Sequence, residues 1–301
     1  MSEQQLRGGP LLHLSTARSF QRLAPAHLLA VAGEAEEVSL PRGSPVLVPH
    51  EPTRAMHVVV DGIISVARRG ERWSVGAGED VGFLEVLARE AAGAEATAES
   101  DTVALRLDGD ALREVQERHF GVLSGLVAEV AARVARNRAA LLEAVRGMPG
   151  AAPLGPGLGR VERMLALHRS PAFPSAGMDA LAELADHMRE THLVDEEPLW
   201  MAHDPASFFY LVCSGTVRYG GPGRSESTAI GPGGVPGLPV TLSGGSRAFD
   251  AVAAGPVIAL LVEQDAFLDV LEDHFEMASA FLARLAGIVL GAGGGAPGAL
   301  P

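Results

Sequence analysis

Apolar residues change their period along this chain in a fixed order, and the order occurs twice. Between Leu23 and Ala32 the leucines and valine fall at helical spacing, which predicts a helix. From Val38 to Val75 the apolar runs shorten. They are punctuated by Pro41-Arg-Gly-Ser, His50-Glu-Pro-Thr, Asp61-Gly62 and Arg69-Gly70, which predicts a succession of short strands joined by turns. Thr102 to Leu107 alternates as a last strand, and Asp108-Gly-Asp opens a helix with Asp110 as its N-cap. That helix, or a second one after a break near Gly121, continues to about Val145. The other half repeats the order, from a helix at Arg160 to Arg169 to a closing helix from Asp265 to about Leu290.

The repetition extends to residues. Met56-His-Val-Val-Val-Asp-Gly returns as Phe209-Tyr-Leu-Val-Cys-Ser-Gly, and His50-Glu51-Pro52 as His203-Asp204-Pro205. Leu112 to Phe120 returns as Phe267 to Phe275, and the offsets all lie between 153 and 155 residues. A period of domain size means a duplicated domain and not a solenoid. Residues 1–146 form the first copy with its long closing helix, 147–159 a Gly/Pro linker, 160–290 the second copy, and 291–301 a low-complexity tail expected to be disordered. Across the first closing helix Leu123, Val127, Val130, Val134, Asn137, Leu141 and Ala144 follow heptad spacing. A seam with one polar member fits a dimer contact through Val127, Val130, Val134, Asn137 and Leu141. The alternative is an amphipathic helix packed on its own domain with Asn137 exposed.

Composition narrows the partners. The 301 residues are 47% hydrophobic and 20% charged, enough for two cores. A formal net charge of -13, from 24 Lys and Arg against 37 acids, argues against nucleic acid, whose phosphates are bound by clustered cations. Cys213 is the single cysteine and lies in an apolar run. Met1 to Arg7 holds no apolar signal core, and Ala280 to Leu290, broken by Arg284, is too short to span a bilayer. A cytoplasmic protein with no membrane attachment is expected.

The order of helices, antiparallel strands, a mid-roll Asp-Gly or Ser-Gly and a long closing helix resembles the cyclic-nucleotide-binding domain over residues 15 to 146 and 161 to 290. Two copies in tandem are similar to protein kinase A regulatory subunits. The resemblance implies an α+β fold, mainly β, of two jelly-roll-like antiparallel rolls flanked by helices. It also implies a phosphate-binding cassette, Gly-Glu-x-x-Leu then Arg-x-Ala-x-x-x-Ala, in which the Glu takes the ribose hydroxyl and the Arg holds the cyclic phosphate through charge-assisted hydrogen bonds. In the first copy Gly82 is followed by Phe83 where that Glu would stand, and Ala92, before Gly93, occupies the place of the Arg. Glu85 and Arg89 are displaced from the anchor positions, and Glu95 adds a negative charge. In the second copy Gly237 opens the cassette with Leu238 in place of the Glu, Arg247, nine residues after Leu238 and followed by Ala248, matches the phosphate Arg, and Pro236 and Pro239 remove backbone donors. Asp250 stands where it could pair with Arg247 and satisfy it without a ligand.

Other chemistry is sparse. His187 and His192 are five residues apart, whereas a helical zinc pair needs four, so no metal site is expected. The matched His50/His203 and His119/His274 have no nucleophile or acid pair beside them and read as turn or packing residues. No nucleophile elbow or phosphate-binding Gly-Lys-Ser/Thr loop occurs, and no helix-turn-helix is expected after either copy. Neither catalysis nor a resident cofactor is expected, though a cyclic nucleotide remains a candidate ligand. The sequence thus leads to a non-catalytic regulatory or scaffold protein acting through a protein partner or self-association. The alternative is a sensor of cyclic nucleotide or another small anion using only the second copy.

Overall fold

The first half of the chain winds from two helices into a roll and out again through three. In the computed structural model, which describes residues 3–219 and 228–292, α1 (Glu3–Thr16) and α2 (Pro25–Ala32) precede β1 (Ala35–Leu40), β2 (Pro45–Leu47), β3 (Ala55–Asp61), β4 (Ile64–Arg68), β5 (Glu71–Val75) and β6 (Asp80–Val81). Then come α3 (Phe83–Ala88), β7 (Glu95–Ala98), β8 (Thr102–Asp108), α4 (Gly109–Arg118), α5 (Phe120–Arg136) and α6 (Arg138–Val145). The second half holds α7 (Arg160–Arg169), α8 (Met178–Asp186), β9 (Arg189–Leu193), β10 (Pro198–Trp200), β11 (Phe208–Ser214), β12 (Val217–Tyr219) and β13 (Thr228–Ile230). It ends with α9 (Leu238–Leu242), β14 (Ala251–Ala253), β15 (Val257–Glu263), α10 (Gln264–Asp273) and α11 (Phe275–Gly291).

All the sheets are antiparallel, and their orders correspond between halves. The orders β1-β8-β3-β6 and β2-β7-β4-β5 in the first half answer to β9-β15-β11 and β10-β14-β12-β13 in the second. The two expected rolls are therefore present, although helix (40%) exceeds strand (27%). Alternation builds the cores: Ile64 and Val66 of β4, with Ala92, Ala94 and Ala96 on the segment leaving α3, point into the first roll. Asp-Gly and Ser-Gly recur because the roll needs a residue with no side chain there. At Gly62, with φ +95°, a Cβ would lie 2.5 Å from Thr102 Oγ1 and 2.7 Å from the Asp101 carbonyl oxygen. At Gly215, φ +81°, it would lie 2.2 Å from the Pro256 carbonyl oxygen. Gly62→Ala is expected to cost at least about 1–3 kcal/mol of unfolding free energy in urea denaturation. Gly70→Ala, equally left-handed but with nothing within 4 Å, costs less.

The chain divides into two units: the described residues up to Glu129 with those from Val289, and Val130–Ile288. The division falls inside α5 and not at the 146/147 boundary suggested by the repeat. Leu141 and Val145 of α6 are core residues of the second unit, packed with Trp200, Tyr219, Ile230 and Val257. The heptad spacing is accordingly split between two helices. Asn137 is no seam residue: it is the N-cap of α6, its Oδ1 accepting from Ala140 N–H at 3.0 Å. Val127, Val130, Val134 and Leu141 are all buried within the single chain. At α4 the cap is Asp108 rather than Asp110, its carboxylate accepting from the Asp110 N–H at 3.0 Å.

The 147–159 segment is tied down along the second unit. Met148 N–H donates to Pro232 (3.0 Å) and Leu154 N–H to Cys213 (3.0 Å). Gly157 and Leu158 N–H both reach the Glu190 carboxylate, at 2.8 and 2.7 Å. The tail expected at 291–301 lies, from residue 293 on, outside the described residues. No single helix among the described residues is long and apolar enough to cross a membrane.

Candidate functional site

The repeated His-acid-Pro triplets turn out to hold the cassettes. His50 and His203 are left-handed, with φ of 68° and 74°, which turns the loop after β2 or β10 back over the segment leaving the cassette helix. His50 N–H donates to Ala92 and Ala92 N–H to Glu51, both at 2.9 Å. In the second unit His203 N–H donates to Arg247 (2.8 Å) and Arg247 N–H to Asp204 (2.9 Å). These are backbone clamps, and each fixes the residue that occupies the phosphate-arginine position.

In the second unit that residue is buried. Arg247 has a relative exposure of 1%, so it is neither a solvated surface cation nor paired with Asp250. The Asp250 carboxylate accepts instead from the Ala202 N–H at 2.7 Å. The guanidinium donates through Nη1 to the Gly237 carbonyl (3.2 Å) and Thr241 Oγ1 (3.3 Å), and through Nη2 to the Phe208 carbonyl. It stacks 4.2 Å above the Trp200 ring and 5.2 Å from the Phe208 ring. Cation–π contacts of this kind contribute about 2 kcal/mol when desolvated. Burial lowers the affinity of Arg247 for its proton, and the nearby Tyr219 and Tyr210 oppose that shift.

Gly237 is the left-handed N-cap of α9 (φ 93°), and its N–H donates to the Tyr219 hydroxyl at 2.5 Å. Burial pushes that hydroxyl well above its ordinary pKa, so it stays neutral. A Cβ at Gly237 would meet Arg247 Nη1 at 2.8 Å and Trp200 Cη2 at 3.2 Å, so the space over the cassette's first residue is taken by the chain's own side chains. Trp200 contacts Tyr219 edge-on at 5.8 Å between centroids, Tyr219 contacts Phe249 at 5.0 Å, and Trp200 Nε1 donates to the Phe249 carbonyl at 3.0 Å. Of the residues predicted to bind a ligand, Gly237, Leu238 and Arg247 come together and are buried, whereas Ala248 is exposed.

The first unit solves the same position differently. Gly82 is the left-handed N-cap of α3 (φ 85°), and Phe83 is buried against Phe20. Ala92 is 2% exposed, so a methyl group stands where the second unit has a guanidinium, and Gly93 is at the surface. Glu85 points inward from α3 and forms an ion pair with Arg68 of β4, both side chains being more than nine-tenths buried. Arg89, the C-cap of α3, is exposed.

Trp200, Tyr219, Thr241 and Arg68 lie outside the cassette pattern, so no motif in the sequence points to them. One signal was present: both tyrosines and one of the two tryptophans fall between residues 200 and 219. The other chemistry resolves into structure. Glu190 is engaged by the backbone of Gly157 and Leu158, which lowers its pKa, and by His192 at 2.7 Å. Among the described residues no group of three or more His, Cys, Asp and Glu is placed to hold a metal ion. Burial pushes the Cys213 thiol up to about 12, so it is not a thiolate nucleophile.

Paired antiparallel rolls, each with a short helix capped by a left-handed glycine and clamped by a His-acid-Pro loop, define a tandem ligand-cassette protein. The model of the cyclic nucleotide-binding domain matches residues 37–119 and 190–274, together more than half of the chain. The chain belongs to the cyclic nucleotide-binding domain family. Among solved structures it is similar to the regulatory subunit of a cAMP-independent protein kinase A from Trypanosoma brucei, at 18% identity over 99% of this chain and 92% of that one, with a TM-score of 0.36. It is also similar to the regulatory domain of Toxoplasma gondii PKA with cAMP, at 15% identity over 95% and 98%, TM-score 0.36. The N-terminal domain of a transcriptional regulator from Streptomyces coelicolor A3(2) matches 44% of this chain and 97% of its own, at 25% identity and a TM-score of 0.40. No curated protein matches the chain.

Proposed function

We propose that this protein is a non-catalytic regulatory subunit of the cytoplasm that works through protein contacts and does not respond to cyclic nucleotides. The observation that carries this reading is the filled cassette of the second unit. The Tyr219 hydroxyl takes the Gly237 N–H, Trp200 covers Gly237, and both terminal nitrogens of Arg247 donate to the Gly237, Thr241 and Phe208 oxygens. A cyclic phosphate would have to displace all three, and Leu238 provides no carboxylate for a ribose hydroxyl. In the first unit Phe83 and Ala92 leave neither anchor. The expected partner is a protein or a second copy of the chain.

Thermal unfolding of the full chain with cyclic AMP, cyclic GMP and cyclic dinucleotides tests this. No midpoint shift is expected, whereas a ligand at 100 times its Kd would add about 2.7 kcal/mol, a readable change. A saturable shift that disappears in Arg247→Lys would overturn the reading. It would establish the alternative, a sensor in the second unit, which is favoured by Arg247 lacking a carboxylate partner and by its buried Nε having no hydrogen-bond partner among the described residues.

A further inference from the structure

The two units have exchanged the position of their buried cation. In the repeat register Arg247 corresponds to Ala92, and Arg68 corresponds to Gly221. The second unit thus carries its guanidinium on the segment between α9 and β14, and the first carries it on β4, which pairs with β7, the strand that the corresponding segment enters. Arg68 follows Ile64 and Val66 on the inward face of β4 and reaches α3, where Glu85 meets it. Ala92, at the position of Arg247, is a buried methyl group in the core of the first roll with Ala94, Ala96, Ile64 and Val66.

The Arg68 side chain is only 9% exposed, yet its ion pair with Glu85 uses Nη2 alone. Nε and Nη1 are buried with no hydrogen-bond partner among the described residues, and Thr53 Oγ1 is in the same condition. The Thr53 methyl stands 3.4 Å from where a Cβ of Gly82 would be, so this second unsatisfied group lies at the first residue of the cassette. Leaving such donors unmet costs about 1–3 kcal/mol each, more for charged groups, and native structures normally supply a partner.

We propose that the first unit binds a small phosphate-type oxyanion through Arg68, at a site whose cation comes from β4 instead of from the cassette. Arg68 donates to the oxyanion through the N–H groups that Glu85 leaves free. Glu85 selects the protonated monoanion, because its carboxylate accepts from a P–OH and repels a dianion. Binding therefore weakens as the pH rises through the second ionisation of the bound phosphate, which lies near pH 6 for a monoester and higher for inorganic phosphate. The site is independent of whether the second unit is filled.

The test is calorimetric titration of the full chain with inorganic phosphate, sodium acetate and cyclic AMP as separate probes. Saturable phosphate binding that weakens from acidic to alkaline pH is expected, with acetate and cyclic AMP at least roughly tenfold weaker because neither offers a P–OH beside an oxyanion. The double variant Arg68→Met/Glu85→Met removes both charges at similar volume and abolishes binding, while Arg247→Lys leaves it intact. If the double variant does not fold, Arg68→Lys decides, since a point charge without the guanidinium fork weakens binding about tenfold or more. No saturable phosphate binding by the wild type overturns the proposal and assigns the free N–H groups to hydration. So does undiminished binding in a folded Arg68 variant, or acetate or cyclic AMP matching phosphate.

Discussion

Arg247→Ala is expected to lower the unfolding free energy of the second unit by about 2–4 kcal/mol, since buried hydrogen bonds from a charged donor contribute about 1.5–3 kcal/mol and a desolvated cation–π contact about 2. The loss has three sources. The Gly237 and Phe208 carbonyls lose their charged donor, Thr241 Oγ1 loses one of its contacts, and the Trp200 face loses its cation. Arg247→Lys retains the charge but not the fork that reaches Gly237, Thr241 and Phe208 together, and it should recover less than half of the loss. Urea unfolding followed by tryptophan fluorescence reads both variants, because Trp200 lies against the substituted side chain. A destabilisation below about 1 kcal/mol, the level of an exposed cation, would mean that Arg247 does not knit the cassette together.

The second large effect is expected from a helix that the sequence repeat assigns to the other copy. Leu141→Ala should cost about 2–5 kcal/mol, as for other fully packed leucines, and Val145→Ala somewhat less. Both side chains sit in the core of the second unit with Trp200, Tyr219 and Ile230. The backbone joins the same contact, since Val235 N–H donates to the Val145 carbonyl at 3.1 Å. The same substitution at Leu142, only partly buried, is the control and should cost less. Expression of residues 147–301 alone provides the complementary measurement. Without α6 this fragment exposes apolar surface around Ile230, and aggregation or loss of cooperative unfolding is the expected result.

What the sequence reveals divides along a physical line. Strand punctuation, the paired glycines at 62 and 215 and the spacing of the repeat follow from local sterics, and these led to the rolls and their family. The residues at the cassette positions, Phe83, Ala92 and Leu238, were readable for the same reason, because a motif is a local pattern. The environment of Arg247 was not. Its partners lie on β10, β11, β12 and α9, and only the closed roll brings Trp200 and Tyr219 to it. Asp250 was a reasonable partner by spacing, but the β10 end captures it first through the Ala202 N–H. Asn137 misled for a related reason. A polar residue between apolar helical positions fits a seam and a helix start equally well, and the break at Arg136 selects the start. Arg68 carried no motif at all, and its ion pair with Glu85 is visible only once β4 and α3 are placed inside one roll.

The ownership of α6 bears on how the molecule comes into being. Translation proceeds from the amino terminus, so α6 leaves the ribosome before any strand of the second roll. Its apolar face, with Leu141 and Val145, has no seat until β10 to β15 have been synthesised. During that interval the apolar face of α6 is exposed to water, at a definite stage of synthesis. The segment that finishes the second roll is made first, so a stall anywhere between residues 146 and 257 strands it without a core.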